Sequence, residues 1–160
     1  MADLSHSASR EIDQRPEIVH DRLLELAERL RREAPPIPAG SQPAMLLGVD
    51  GPLGIEATDR GPTLIELRTT RGRIRGEGSA ALAPIDGGTR TRLTVALAIR
   101  PQGFAANLML GAALATMPDV QRQVVDGLER GLDDLATELA KPDAEWDPAA
   151  WTPKGLGDRH

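Results

Sequence analysis

The chain has 160 residues, 19 basic against 24 acidic, with a formal charge of -5. That length suits one domain with a sizeable core, and the acidic excess excludes nucleic acid as the main partner, because phosphate binding needs a basic face. Cysteine is absent, which excludes disulfides and thiol chemistry and suits a cytoplasmic protein.

In chain order, His6 to Asp13 reads as a weak strand with Ala8 and Ile12 on one face. The N-terminus lacks an apolar signal core, so a cleaved signal peptide is not expected. Pro16 then opens a clear helix, since proline fits a first turn and Glu17 suits the helix dipole. Ile18, Val19, Leu23, Leu26, Ala27 and Leu30 share one side; Glu17, Asp21, Arg22, Glu25, Glu28 and Arg29 fall mostly elsewhere. Pro35, Pro36 and Pro38 stop the helix by Ala34.

The stretch up to Pro101 reads as antiparallel sheet. Met45 to Val49 is a short apolar run, and Asp50-Gly51-Pro52 marks a turn. Leu53, Ile55 and Ala57 alternate with Gly54, Glu56 and Thr58. A second turn at Asp59-Arg60-Gly61-Pro62 leads into the strand Thr63 to Thr70. Arg73 to Ile85 is a long strand, in which Gly76 and Gly78 mark a bulge or bend. Asp86-Gly87-Gly88 is a hairpin signal. In Thr89 to Arg100, Leu93, Val95, Leu97 and Ile99 alternate with Arg92, Thr94, Ala96 and Ala98, as in a sheet covered on one side.

Gly103 to Ala140 reads as one long helix, bent or restarted at Pro118. Met117, Val120, Val124, Leu128, Leu132, Leu135 and Leu139 form its apolar stripe, and Arg122, Glu129, Arg130, Asp133 and Glu138 its solvated face. Its first part, residues 104 to 117, carries no charge and is too short for a membrane span, which needs about 20 residues. It is a buried segment or a lip for transient membrane contact. Gly127 and Gly131 beside the stripe either pack closely on the sheet or widen a pocket. Residues 141 to 160 are a tail with Pro and both Trp. Trp146 and Trp151 there pack back on the domain, anchor a protein partner or stay disordered.

Two stretches resemble the START-like, or SRPBCC, superfamily. Ile12-Asp13-Gln14-Arg15-Pro16-Glu17-Ile18-Val19 is similar to the family's opening, where a strand ends at a proline-glutamate pair. Gly76-Glu77-Gly78 through Gly87-Gly88-Thr89-Arg90-Thr91, followed by Leu93-Thr94-Val95 and the long helix, is similar to its last hairpin. The chain departs from many relatives at His20, where an aromatic is common. The resemblance implies an α+β, helix-grip domain over residues 6 to 140, with a curved antiparallel sheet wrapped around the long C-terminal helix. It implies a cavity for sterols, lipids, polyketides, quinones or hormones, and carries over no catalytic residue.

The chemistry points the same way. His6, His20 and His160 lack metal-ligand spacing, so no metal is expected. His20 reads as a surface or helix-packing residue. Gly48, Gly51 and Gly54 fit a turn and precede no helix, so no nucleotide loop is read, and no cofactor is expected. The expected function is binding or transport of an apolar small molecule, driven by burial of apolar surface. Candidate lining residues are Ile65, Leu67, Leu93, Val95, Leu97, Leu108, Val124 and Leu128, with Gly127 and Gly131 beside them. Arg68 or Arg75, turned inward, is the candidate head-group anchor. Two alternatives stand beside it. One is a polyketide cyclase or dehydrase-like enzyme, which requires a polar residue in the cavity. The other is a non-catalytic assembly protein that docks through its Trp tail.

Overall fold

The computed structural model describes residues 4–33, 38–40, 51, 54–71, 74–101, 103, 108, 112 and 118–149. The elements are β1 (Leu4–Ile12), α1 (Pro16–Glu33), β2 (Ile55–Asp59), β3 (Leu64–Thr69), β4 (Ile74–Ile85), β5 (Arg90–Pro101) and α2 (Pro118–Leu139). The strands form one curved antiparallel sheet in the order β1-β5-β4-β3-β2. The expected run Met45 to Val49, the connection at 34–37 and 41–43, Leu53, and Trp151 lie outside the described residues. So does the first part of the long helix, except for Leu108 and Ala112, which are both helical.

The β4–β5 hairpin follows from its turn. Asp86, Gly87 and Gly88 all have positive φ, at 51°, 70° and 87°, a conformation that glycine adopts without a Cβ penalty. Thr89 closes the turn, its hydroxyl donating to the Asp86 carbonyl at 2.8 Å. From there the pairing runs unbroken from Ile85↔Arg90 to Ile74↔Pro101. The bulge expected at Gly76 and Gly78 is therefore absent. Those glycines answer to side chains instead: a Cβ on Gly78 would meet Leu97 Cδ2 at 2.9 Å, and one on Gly76 would meet Thr69 Cγ2 at 3.3 Å.

Strand alternation sorts the sheet into two faces. The inner face carries rows that run across the strands. One row is His6, Leu97, Gly78, Leu67 and Ala57; the next holds Ile99, Gly76, Thr69 and Ile55. At the other end of the same face, Ile12, Leu82 and Leu93 meet Val19 and Leu26 of α1 and Leu132 and Leu139 of α2 as the buried core. Each fully buried Leu or Ile is worth about 1.5–3 kcal/mol relative to exposure. Thr91 is buried among them, and its hydroxyl donates to the Gln14 carbonyl at 2.7 Å. That bond pins the β1–α1 corner to β5.

The helix faces depart from the expected pattern at Arg22 of α1 and on the charged side of α2. Arg22, placed among the polar positions of α1, is 3% exposed. It donates to the carbonyls of Leu139 at 2.9 Å and Lys141 at 2.5 Å, and to Asp143 Oδ1 at 2.7 Å. Carbonyls at a helix C-terminus lack intrahelical donors, and a guanidinium fork supplies them. Glu129, Asp133 and Glu138 do not form a plain solvated face: the first two bind β1, and Glu138 is buried beside Lys141 at 2.8 Å. Trp146 packs back on its own domain. The Arg22 guanidinium stacks 4.7 Å above its ring, its indole N–H donates to Glu25 at 3.0 Å, and it abuts the core.

Candidate ligand-binding groove

α1 and α2 cross the inner face in opposite senses. α1 starts over the core at Val19 and ends over the other end of the sheet at Leu30; α2 starts there with Val125 and Leu128 and ends on the core at Leu139. Between them, over the two glycine-bearing rows, lies an apolar groove of about 230 Å³. Leu67, Leu97, Ile99 and Ile55 wall it from the sheet, Leu30, Val125 and Leu128 from the helices, and Gly76 and Gly78 lie in its floor. A side chain at either glycine would enter this space or press on its wall.

The expected lining residues divide between groove and core. Leu67, Leu97 and Leu128 line the groove. Leu93 is fully buried in the core and Val95 packs against that core, while Ile65 is buried one row away from the groove. Leu108 is 58% exposed, and the Val124 side chain lies outside the described residues. Gly127 and Gly131 do not pack closely on the sheet: a Cβ on either meets no described atom within 4 Å. Arg68 borders the groove through its strand, but alternation turns its side chain to the outer face, where it pairs with Glu56 at 2.8 Å. Arg75 is likewise an exposed outer-face residue opposite Arg100. Neither arginine is an inward head-group anchor.

Two inner-face polar side chains lie at the groove, and the expected lining set lacked both: Thr69, whose hydroxyl accepts from the Gly76 N–H at 2.9 Å, and His6. His6 Nε2 contacts Glu129 Oε1 at 2.7 Å. Arg10, two residues along the same face of β1, donates to Glu129 Oε2 and, through Nε, to Asp133 Oδ1 at 2.5 Å. The Arg10 hydrogen bond, then that from His6, holds the Glu129 carboxyl below the usual carboxylate range. Asp133 and then Glu129 raise the Arg10 guanidinium in turn. One signal for this cluster was present in the sequence, since His6 and Arg10 share the face of Ala8 and Ile12 by simple alternation.

A second charged contact closes α1 onto β2. His20 Nε2 lies 3.0 Å from Asp59 Oδ1, and Nδ1 lies 3.4 Å from Asp21. Burial works to lower the His20 imidazole, but the hydrogen bonds to Asp59 and Asp21 outweigh it and raise it above its ordinary range. His20 is thus a helix-packing residue.

A wider hollow of about 900 Å³ lies on the outer face, among Ser5, Ser7, Ser79, Ala96 and Ala98. Its charges are partly spent on one another, Arg68 on Glu56 and Arg60 on Glu66 at 3.1 Å. Its lining is mixed, with serine hydroxyls and charged groups beside alanines, unlike the almost wholly apolar groove. Among the described residues no three of His, Asp and Glu gather as metal ligands do, and no helix is long and apolar enough to cross a membrane.

No protein-family model and no curated protein matches the sequence. Solved structures do share its architecture. The di-domain ARO/CYC protein BexL of the BE-7585A biosynthetic pathway is 16% identical with a TM-score of 0.55, over 88% of this chain and 51% of its own. This chain therefore spans about half the length of BexL. A conserved protein from Geobacillus kaustophilus is 19% identical with a TM-score of 0.50, over 86% of this chain and 95% of its own. A START superfamily protein from Mycobacterium smegmatis is 14% identical with a TM-score of 0.44, over 78% and 99%. With its curved antiparallel sheet and the C-terminal helix across the inner face, the chain has a helix-grip fold, the architecture it shares with BexL.

Proposed function

We propose that this chain binds an apolar small molecule in the groove between the inner face of the sheet, α1 and α2. The observation that carries this is the glycine floor. Two strand positions forgo side chains and their packing, although glycine weakens a strand interior, and the space left above them is walled by Leu, Ile and Val. A filled interior at those rows would pack better, since a void forfeits dispersion contacts. The outer hollow is the weaker candidate for an apolar ligand, because about half of its lining is polar and would be desolvated on binding.

At about 230 Å³ the groove is smaller than the roughly 300–1,000 Å³ of sites for drug-sized ligands. It therefore suits a compact ring system or a short chain segment, with the rest of a longer ligand outside. Each methylene it buries contributes about 0.8 kcal/mol. A cyclase or dehydrase-like activity is a second reading, favoured by one observation. His6, held by Glu129, gives the groove a group able to take and return a proton. The Trp146 anchor of the assembly reading is occupied within the domain.

Gly78→Val tests the binding reading. Valine suits a strand, and its methyl groups enter the groove floor. An apolar fluorescent probe such as anilinonaphthalene sulfonate is expected to bind wild type at one site, and to bind the folded variant at least about tenfold more weakly. Undiminished binding in Gly78→Val, with circular dichroism unchanged, refutes the placement.

A further inference from the structure

The groove offers a ligand almost nothing polar. Among the described residues its exposed lining is nearly all apolar. The two polar side chains of its inner face are engaged with the protein itself: Thr69 Oγ1 accepts from the Gly76 N–H at 2.9 Å, and His6 Nε2 contacts Glu129 Oε1 at 2.7 Å. Arg68 and Glu77 border it through their strands, but alternation turns both side chains to the outer face. The floor strand, β4, lies between β3 and β5, so its amides and carbonyls are spent in the ladders on either side. A ligand oxygen drawn into this space gives up its water and meets no donor.

The groove is also thin. Its lining reaches every strand, from His6 on β1 to Ile55 on β2. Neighbouring strands lie about 4.8 Å apart, so the five together span about 19 Å. A volume of about 230 Å³ over that span leaves a mean cross-section of about 12 Å². A single file of carbon atoms, about 4 Å across at contact, fills that section, and a fused ring system is wider.

We infer that the groove takes one unbranched alkyl chain, with no polar atom along the part it covers. This rests on the groove binding proposed above and narrows it: between a compact ring and a chain segment, the cross-section selects the chain. A polar end of the ligand stays outside, in water. The lining sets two exclusions. Fused rings are excluded by width, and chains that carry oxygen inside the groove are excluded by the missing donors. The second exclusion covers a chain of ketones, so the inference stands against the cyclase or dehydrase-like reading.

The test titrates the full chain by calorimetry with three carboxylates that share one head group: decanoate, 6-oxodecanoate and pyrene-1-carboxylate. The oxo compound puts a single acceptor inside the groove. The pyrene compound is the more hydrophobic of the two oxygen-free bodies, so a merely apolar patch binds it best. Decanoate is expected to bind wild type at least about tenfold more tightly than either of the others. Equal or tighter binding of 6-oxodecanoate or of pyrene-1-carboxylate overturns the inference and leaves the groove reading standing. Failure of all three to bind wild type overturns the groove reading as well, and so does an unchanged decanoate affinity in folded Gly78→Val. The comparison among ligands involves no substitution, so a folding defect in the variant cannot decide it.

Discussion

Replacing Arg22 with methionine keeps the apolar stem in place and removes the guanidinium that closes the C-terminus of α2. Two carbonyls, those of Leu139 and Lys141, lose a charged donor at 2.9 and 2.5 Å. Hydrogen bonds from charged groups are worth about 1.5–3 kcal/mol each. The pair with Asp143 is discounted, because that carboxylate is exposed and such pairs contribute about 0–1 kcal/mol. Loss of the stack on Trp146 adds about 0.5–1 kcal/mol. The expected destabilisation is about 3.5–7 kcal/mol. An unfolding entropy of about 2.1 cal/mol/K per residue over 160 residues converts this to a fall in Tm of about 10–20 °C. Thermal melts followed by circular dichroism measure it. Trp146 fluorescence in a Trp151→Phe background reports whether the tail detaches first. A fall under about 3 °C with Trp146 unmoved refutes the clamp as a structural element.

Thr91→Val is nearly isosteric but strands the Gln14 carbonyl at the β1–α1 corner. The expected cost is about 1–2 kcal/mol, read as a shift in the urea midpoint with unchanged slope; an unshifted midpoint refutes it. The His20–Asp59 contact carries a pH signature. His20 is raised, so its contribution is full below about pH 6.5, the unfolded value, and is lost as pH climbs through the folded one. Asp59 is depressed, first by His20 and then by the Gly61 N–H. Its contribution holds above about pH 4 and is lost as pH falls through the depressed value. The Tm difference between wild type and His20→Gln is therefore expected to be greatest near pH 5–6 and to shrink towards pH 9. A difference that stays constant with pH sinks this reading.

Local chemistry made the fold legible. Pro16-Glu17 opened α1 where it begins, Asp86-Gly87-Gly88 turned where it should, and the alternation of Leu93, Val95, Leu97 and Ile99 named the inner face of β5. What stayed hidden was anything set by a partner far along the chain. Arg22 reads as polar because its carbonyl acceptors lie 117 and 119 residues away. Glu129 falls on the charged side of its helix, and only the sheet's register shows that β1 brings His6 and Arg10 to meet it. The glycines of β4 were visible, but the bulge expected from them was not formed. Whether a strand glycine bends the backbone or makes room for a neighbour depends on the residue opposite it, here Leu97 and Thr69. Arg68 was misplaced for a simpler reason: Leu67 faces inward, and adjacent strand residues cannot share a face.

The inner face of the sheet is divided lengthwise. One end, from Ile12 and Leu82 to Leu139, carries the close-packed core; the other, floored by Gly76 and Gly78, carries the groove. The same two helices cap both ends, each contributing one half to the core and one half to the groove wall. On the proposed binding, changes at the groove end alter capacity and selectivity with little toll on folding, because the buried core residues lie at the other end. Gly78, Leu67, Leu97, Val125 and Leu128, which line the groove, are the set that the proposed binding makes open to retuning for ligands of different size. The core end, by contrast, tolerates little drift, because each change there is felt by both helices and the sheet at once.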